Sequence, residues 1–101
     1  MTLGRVVGTV VATRKEERLH GFKLQVVETV DLDLRPTGSF TVAVDALGAG
    51  PGEIVLTSAG SSARLTQATK DRPVDAVIVG IVDTVETGGN VRYDKARAAH
   101  A

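Results

Sequence analysis

At 101 residues the chain has room for a single hydrophobic core, since domains usually take ~100 to 200 residues. Twelve basic and twelve acidic side chains cancel, six of each in either half, so no basic field awaits nucleic acid or anionic lipid. The absence of Cys excludes a disulfide framework, a thiolate nucleophile and a thiolate metal site, and sixteen Val and eleven Thr against two Phe and one Tyr favour strands over helices.

In chain order, residues 3–13 are apolar on both parities and carry Gly4 and Gly8, the pattern of a strand covered on both faces or bent at its glycines. Arg5 with the apolar residues after it makes a poor leader because Gly8 and Thr9 interrupt it, so no cleaved signal is expected. Residues 14–21 are charged and end in Gly, a loop by composition. In residues 22–30, Phe22, Leu24, Val26 and Val30 alternate with Lys23, Gln25, Val27 and Thr29, and the period of two predicts a half-buried strand. After a loop at 31–38 with Pro36 and Gly38, the alternation resumes: Phe40, Val42 and Val44 against Thr41, Ala43 and Asp45. Phe22 and Phe40 read as core residues.

The second half begins with a loop at 46–52 holding three Gly and a Pro, then a short strand at 53–58 with Ile54 and Leu56 on one side. Residues 61–69 predict one short helix, capped by Ser, with Ala63, Leu65 and Ala68 inward and Arg64 and Gln67 outward, ending before Pro73. Residues 76–87 predict a last long strand around Gly80; its seven-residue apolar core, 76–82, falls far short of the roughly 20 residues of a membrane-spanning helix. Residues 91–93 form a final short segment after Gly88, Gly89 and Asn90, and the tail is too polar and Ala-rich to bury itself, so it is frayed or held by a partner. The reading is an all-β protein: a small five-stranded barrel with one short helix before the last long strand, a single domain at 1–93 and a tail at 94–101. The second apolar faces of the first and last strands are surplus to one thin core and motivate a subunit interface there.

Catalytic chemistry has little to stand on. His20 sits in a charged loop and His100 beside the C-terminus, both expected on the surface, and Ser61 and Ser62 lack the Gly-x-Ser-x-Gly spacing of a nucleophile turn. Asp31, Asp33, Asp45, Asp71, Asp75 and Asp83 are spread over separate elements without calcium-loop spacing, so no metal site, catalytic set or cofactor is expected. The run Gly48-Ala49-Gly50-Pro51-Gly52-Glu53 is a weak phosphate cradle: a strand follows it where a nucleotide motif would open a helix, and no Lys is near. A small barrel could bind single-stranded nucleic acid, but only Phe22 and Phe40 could stack and no positive groove accompanies them.

Three blocks in order carry a resemblance: LGRVVGTVVATRKEERLHG from Leu3, VAVDALGAGPGEIVLTSAGSSAR from Val42, and RPVDAVIVGIVDTVETGG from Arg72. Together they strongly resemble the EutN/CcmL family, the pentameric vertex proteins of bacterial microcompartments and carboxysomes, over residues 3 to about 93. The resemblance implies a small barrel shaped like an oligonucleotide-binding fold. It also implies a homo-pentamer that caps the five-fold corners of a polyhedral shell in the bacterial cytoplasm and touches hexameric shell tiles, with no enzymatic activity and no nucleic-acid or membrane partner. It places Gly48, Ala49 and Gly50, and Gly60, Ser61, Ser62 and Arg64, near subunit contacts or the central opening, with Arg14, Lys15 and Arg18 on solvated or rim surface. A sheet of hexagonal tiles cannot close without five-fold units, which gives such a ring its geometric purpose. The alternative is an OB-like module binding single-stranded nucleic acid or a small ligand.

Overall fold

Strands dominate the computed structural model, which describes residues 1–13, 15–70, 72 and 74–98. Five of them, β1 (Thr2–Val10), β2 (Lys23–Val30), β3 (Pro36–Asp45), β4 (Ile54–Ala59) and β5 (Ala76–Ile81), close into a barrel in the order β1-β2-β3-β5-β4. A second, two-stranded sheet pairs β6 (Thr84–Thr87) with β7 (Asn90–Asp94), and a single turn of helix, α1 (Lys95–Ala98), follows. The predicted strand at 76–87 is therefore two strands. Val82 donates its N–H to the Ile54 carbonyl, and Lys95 donates to the Asp83 carbonyl, so the backbone leaves the barrel at this point.

The predicted helix at 61–69 is a shorter 3-10 helix, Gly60–Arg64, preceded by Ala59 with no side-chain cap. Hydroxyls explain the shortening: Thr69 Oγ1 donates to the Ala63 carbonyl at 2.6 Å and Thr66 Oγ1 accepts from the Thr69 N–H at 3.1 Å, offering the backbone an alternative to helix. A second 3-10 turn, Glu17–Leu19, lies in the charged loop after β1.

The structure decides which parity of each alternating strand is enclosed. Inside the barrel are Val6, Val27, Ala43, Ala49, Val55, Ala76 and Ile78, together with buried Gln25 and Thr57. The interior of β2 and β3 is thus the parity of Gln25, Val27 and Ala43, and the more apolar parity of Leu24, Val26, Val42 and Val44 faces outward. A five-stranded barrel is narrow, and small or β-branched residues fill it. Outside, Val44 and Val77 are covered by Ala63 and Val74, with Leu19, Phe22 and Leu24 packed against them as a second small cluster. That cover stops short of Phe40, which is 61% exposed and not a core residue.

Close strand approach has one strict requirement. A Cβ on Gly4 would lie 2.3 Å from Val27 Cγ1 and 3.1 Å from the Glu28 carbonyl oxygen, so only glycine lets β1 cross β2 here. Two residues on, the register shifts between Val6 and Gly8, leaving Val7 as the extra residue of a bulge, pointing outward and 46% exposed.

Candidate assembly surfaces

The glycine-rich connection between β3 and β4 is organised by one carboxylate. Asp45, the last residue of β3, is buried, and its Oδ1 accepts from the N–H groups of Leu47 at 2.9 Å and Gly48 at 3.1 Å while Oδ2 accepts from Ala49 at 2.8 Å. Gln25, buried on β2, donates from Nε2 to Asp45 Oδ2 at 3.2 Å and to the Ala49 carbonyl at 2.9 Å, and Thr9 Oγ1 donates to Gln25 Oε1 at 2.9 Å. A buried charge is tolerable when donors surround it in this way. Gly48 takes φ of +80°, which an L side chain rarely adopts.

The far end of the connection is pinned to β1. Gly52 donates its N–H to the Val6 carbonyl at 2.8 Å, and Val6 donates to the Glu53 carbonyl at 3.0 Å. Glu53 Oε1 accepts from the Gly50 N–H, and its Oε2 pairs with Lys95 Nζ at 2.5 Å. The hydrogen bond from Lys95, then that from the Gly50 N–H, holds the Glu53 carboxyl below its ordinary value, and Glu53 in turn raises the Lys95 ammonium. With the N–H groups of Leu47, Gly48, Ala49 and Gly50 all donated to carboxylates of this chain, the connection has no phosphate cradle to offer.

The second predicted segment lies elsewhere. Gly60 opens the 3-10 helix and donates to the Asp75 carbonyl at 2.7 Å; Ser61, Ser62 and Arg64 are exposed, and Ala63 between them is buried. The glycine connection precedes β4 and this helix follows it, so the seven predicted residues form two groups separated by the length of that strand, ~20 Å at 3.3 Å per residue. Their flanks do approach each other. Ala46 and Leu47 on one side and Thr66, Gln67 and Ala68 on the other wall a groove of about 260 Å³ floored by Val77, Ile78 and Val79.

What the sequence reading missed is an outward apolar set: Phe40, Val42, Leu47, Leu65, Val79 and Val7 are all large hydrophobics more than a third exposed. For Phe40 and Val42 the signal was present as the more apolar parity of β3, of which Phe40 was read as core. Among the described residues no cluster of three His, Cys, Asp or Glu is placed to hold a metal, and no helix is long and apolar enough to cross a membrane. His20 is exposed; His100 and Arg14 lie outside the described residues. Lys15 Nζ donates to the Phe22 carbonyl at 3.3 Å, and Arg18, exposed, pairs with Glu16 at 2.9 Å and lowers that carboxyl through the hydrogen bond. Among the described residues no acid, base and nucleophile are brought together.

A family model described as ethanolamine utilisation protein EutN/carboxysome matches residues 1–83, the whole barrel. The chain belongs to the EutN/CcmL family. It is 55% identical over 87 residues to the bacterial microcompartment shell vertex protein GrpN of Rhodospirillum rubrum, a match covering 86% of this chain and 98% of that one. Among solved structures, Gloeobacter violaceus CcmL superposes with a TM-score of 0.90 at 43% identity, covering 95% of this chain and 99% of that one. The structure of GrpN, described as a pentameric microcompartment shell protein, superposes with a TM-score of 0.79 at 56% identity over 86% of this chain and 99% of its own. As an EutN/CcmL protein the chain is a structural component of the microcompartment shell vertex, not an enzyme, and these likenesses support that role over a nucleic-acid or ligand-binding barrel.

Proposed function

We propose that five copies of this chain close into a ring that occupies the five-fold corners of a bacterial microcompartment shell, seated among hexameric tiles made by other shell proteins. The observation that carries this reading is the pentameric GrpN, 56% identical and superposable over 86% of the chain. The outward apolar residues of the barrel agree with it, because a ring subunit must bury surface on two sides. In this reading the connection holding Gly48, Ala49 and Gly50 and the segment holding Gly60, Ser61, Ser62 and Arg64 lie at subunit contacts or the central opening, and Lys15 and Arg18 lie on the rim toward the tiles.

Native mass spectrometry of the purified chain across a dilution series tests the ring: five times the chain mass is expected, and a stable monomer at all concentrations refutes it. Gly50 tests the placement of the connection. A Cβ there would already stand 3.1 Å from Glu53 Oε1, so Gly50→Trp should lower the ring's mass or its resistance to dilution. An undiminished ring in that variant removes the connection from the contact. Charge reversal at Lys15 and Arg18 should impair shell closure when co-expressed with hexameric tiles; unchanged closure removes the rim role.

A further inference from the structure

The barrel is closed by a seam. β3 and β5 run parallel and meet at a single register pair, Val44 with Val77, because the two strands are staggered along their length. Over most of β3 the edge away from β2, and over β5 beyond Val77 the edge away from β4, have no strand partner among the described residues. Unpaired edges are normally blunted by charge, and Lys is the usual choice. Residues 37–44 carry none. Around the seam stand Phe40, Val42, Leu47 and Val79, 61%, 47%, 52% and 36% exposed.

A second apolar patch lies across the barrel. In the closed order β1-β2-β3-β5-β4, β1 is the strand farthest from the β3–β5 seam. It presents Val7 at its bulge, 46% exposed, and Val11 just past its end, 87% exposed. Two unlike apolar patches on different sides of one subunit, the one on β1 flanked by half-buried Arg5, suit a head-to-tail contact, in which each copy offers one patch to the neighbour before it and the other to the neighbour after. A two-fold contact would instead need one self-complementary patch. Both patches belong to the barrel, and GrpN is pentameric with a chain that corresponds to only 86% of this one.

We propose that the β3–β5 seam of one copy is covered by the outer side of β1 of the next, and that this contact closes the ring. The proposal rests on the ring reading above and names the two surfaces that meet. The occupant of the seam is a second copy of this chain, since the apolar seam and the apolar patch that the same chain presents on β1 are the two unlike surfaces that a closed ring of five, as in GrpN, requires of each subunit.

The lack of native Cys makes the test direct. Four double variants of the full chain combine Val7→Cys or Val11→Cys with Val42→Cys or Val79→Cys, each treated with a short bismaleimide and run under denaturing conditions. At least one pair should give a ladder of covalent species ending at five chains, while each single variant and a control pair joining Asp31→Cys to Val79→Cys stay monomeric. As a second readout, Phe40→Glu and Val7→Glu, both at exposed positions, should each cut the native mass from five chains to one with the strand circular-dichroism spectrum unchanged. A native mass of five chains with no ladder from any of the four pairs, or with both Glu variants still in rings, overturns the seam contact and leaves the ring reading standing. A monomeric parent chain overturns the ring reading itself. A ladder in the control pair as strong as in the four test pairs assigns the cross-links to collision and likewise overturns the seam contact.

Discussion

Asp45 is the side chain on which the glycine connection depends most. Its carboxylate, 4% exposed, accepts from three backbone N–H groups and from Gln25 Nε2. In Asp45→Ala the N–H groups of Leu47 and Gly48, only partly buried, can turn to water, so each loses a net hydrogen bond to a charge partner worth ~1 kcal/mol after that compensation. The Ala49 N–H and the Gln25 amide are buried, and each costs ~1 to 3 kcal/mol when left unpaired, although Gln25 keeps its bond to the Ala49 carbonyl. The contributions are coupled, so the expected loss is about 3 kcal/mol rather than their sum. Asp45→Asn should do nearly as badly, because its NH₂ must face donors. At fixed subunit concentration this corresponds to a melting temperature lower by ~12 to 24 °C for a domain of this size, and urea midpoints should agree. Asp75, whose side chain is exposed, provides the control: Asp75→Asn should stay within ~0.5 kcal/mol. If Asp45→Ala and Asp45→Asn both behave like the control, the carboxylate is not what holds the connection.

Gly4→Ala should destabilise by ~1 to 3 kcal/mol through overpacking, because the new Cβ would sit 2.3 Å from Val27 Cγ1, whereas Gly8→Ala, with its nearest contact at 3.6 Å, should change the urea midpoint little. Thr69→Val keeps the volume of a fully buried side chain but deletes the donor to the Ala63 carbonyl; a loss of ~1 to 2 kcal/mol is expected, with faster amide exchange in residues 65–70. The Glu53–Lys95 pair gives a pH signature. Glu53 titrates below its ordinary 4.5 when folded and Lys95 above its ordinary 10.5, so the pair's contribution is full between those values. It is lost as pH falls from 4.5 through the lower folded value of Glu53, and as pH rises from 10.5 through the higher folded value of Lys95. The stability gap between parent and Glu53→Gln should therefore be widest near neutrality and shrink toward both extremes; a gap independent of pH would show the pair to be without effect.

Local signals in the chain announced strands, turns and their order. Val and Thr content, period-two runs and the Gly and Pro clusters mark β1 to β5 within a few residues, and Gly88-Gly89 marks the β6–β7 turn. Phe40 was misread as core because alternation says that two faces differ, not which one a narrow barrel encloses. Here the enclosed face holds Gln25 and Asp45 beside Val27 and Ala43, and their polarity is satisfied by a connection 20 to 24 residues away from Gln25. No local pattern carries that partnership. The break at Val82 and Asp83 escaped for the same reason: the groups that fix it are the Ile54 carbonyl and the Lys95 N–H. The two groups of candidate contact residues were legible as small-residue turns, but their separation by β4 required the topology.

The inverted faces tie folding to assembly. The barrel interior is filled by small and β-branched residues and a satisfied polar network, and this is enough to define one closed sheet. The outward side chains Phe40, Val42 and Val79 add little to that closure, because they point away from it. Substitutions divide accordingly. A change at Val27 or Ala43 acts on the subunit and through it on every higher assembly, whereas a polar residue at Phe40 leaves the fold intact and removes apolar area from the outside alone. In the ring reading, this division leaves the outward contacts of Phe40, Val42 and Val79 outside the set on which the fold of the single subunit rests.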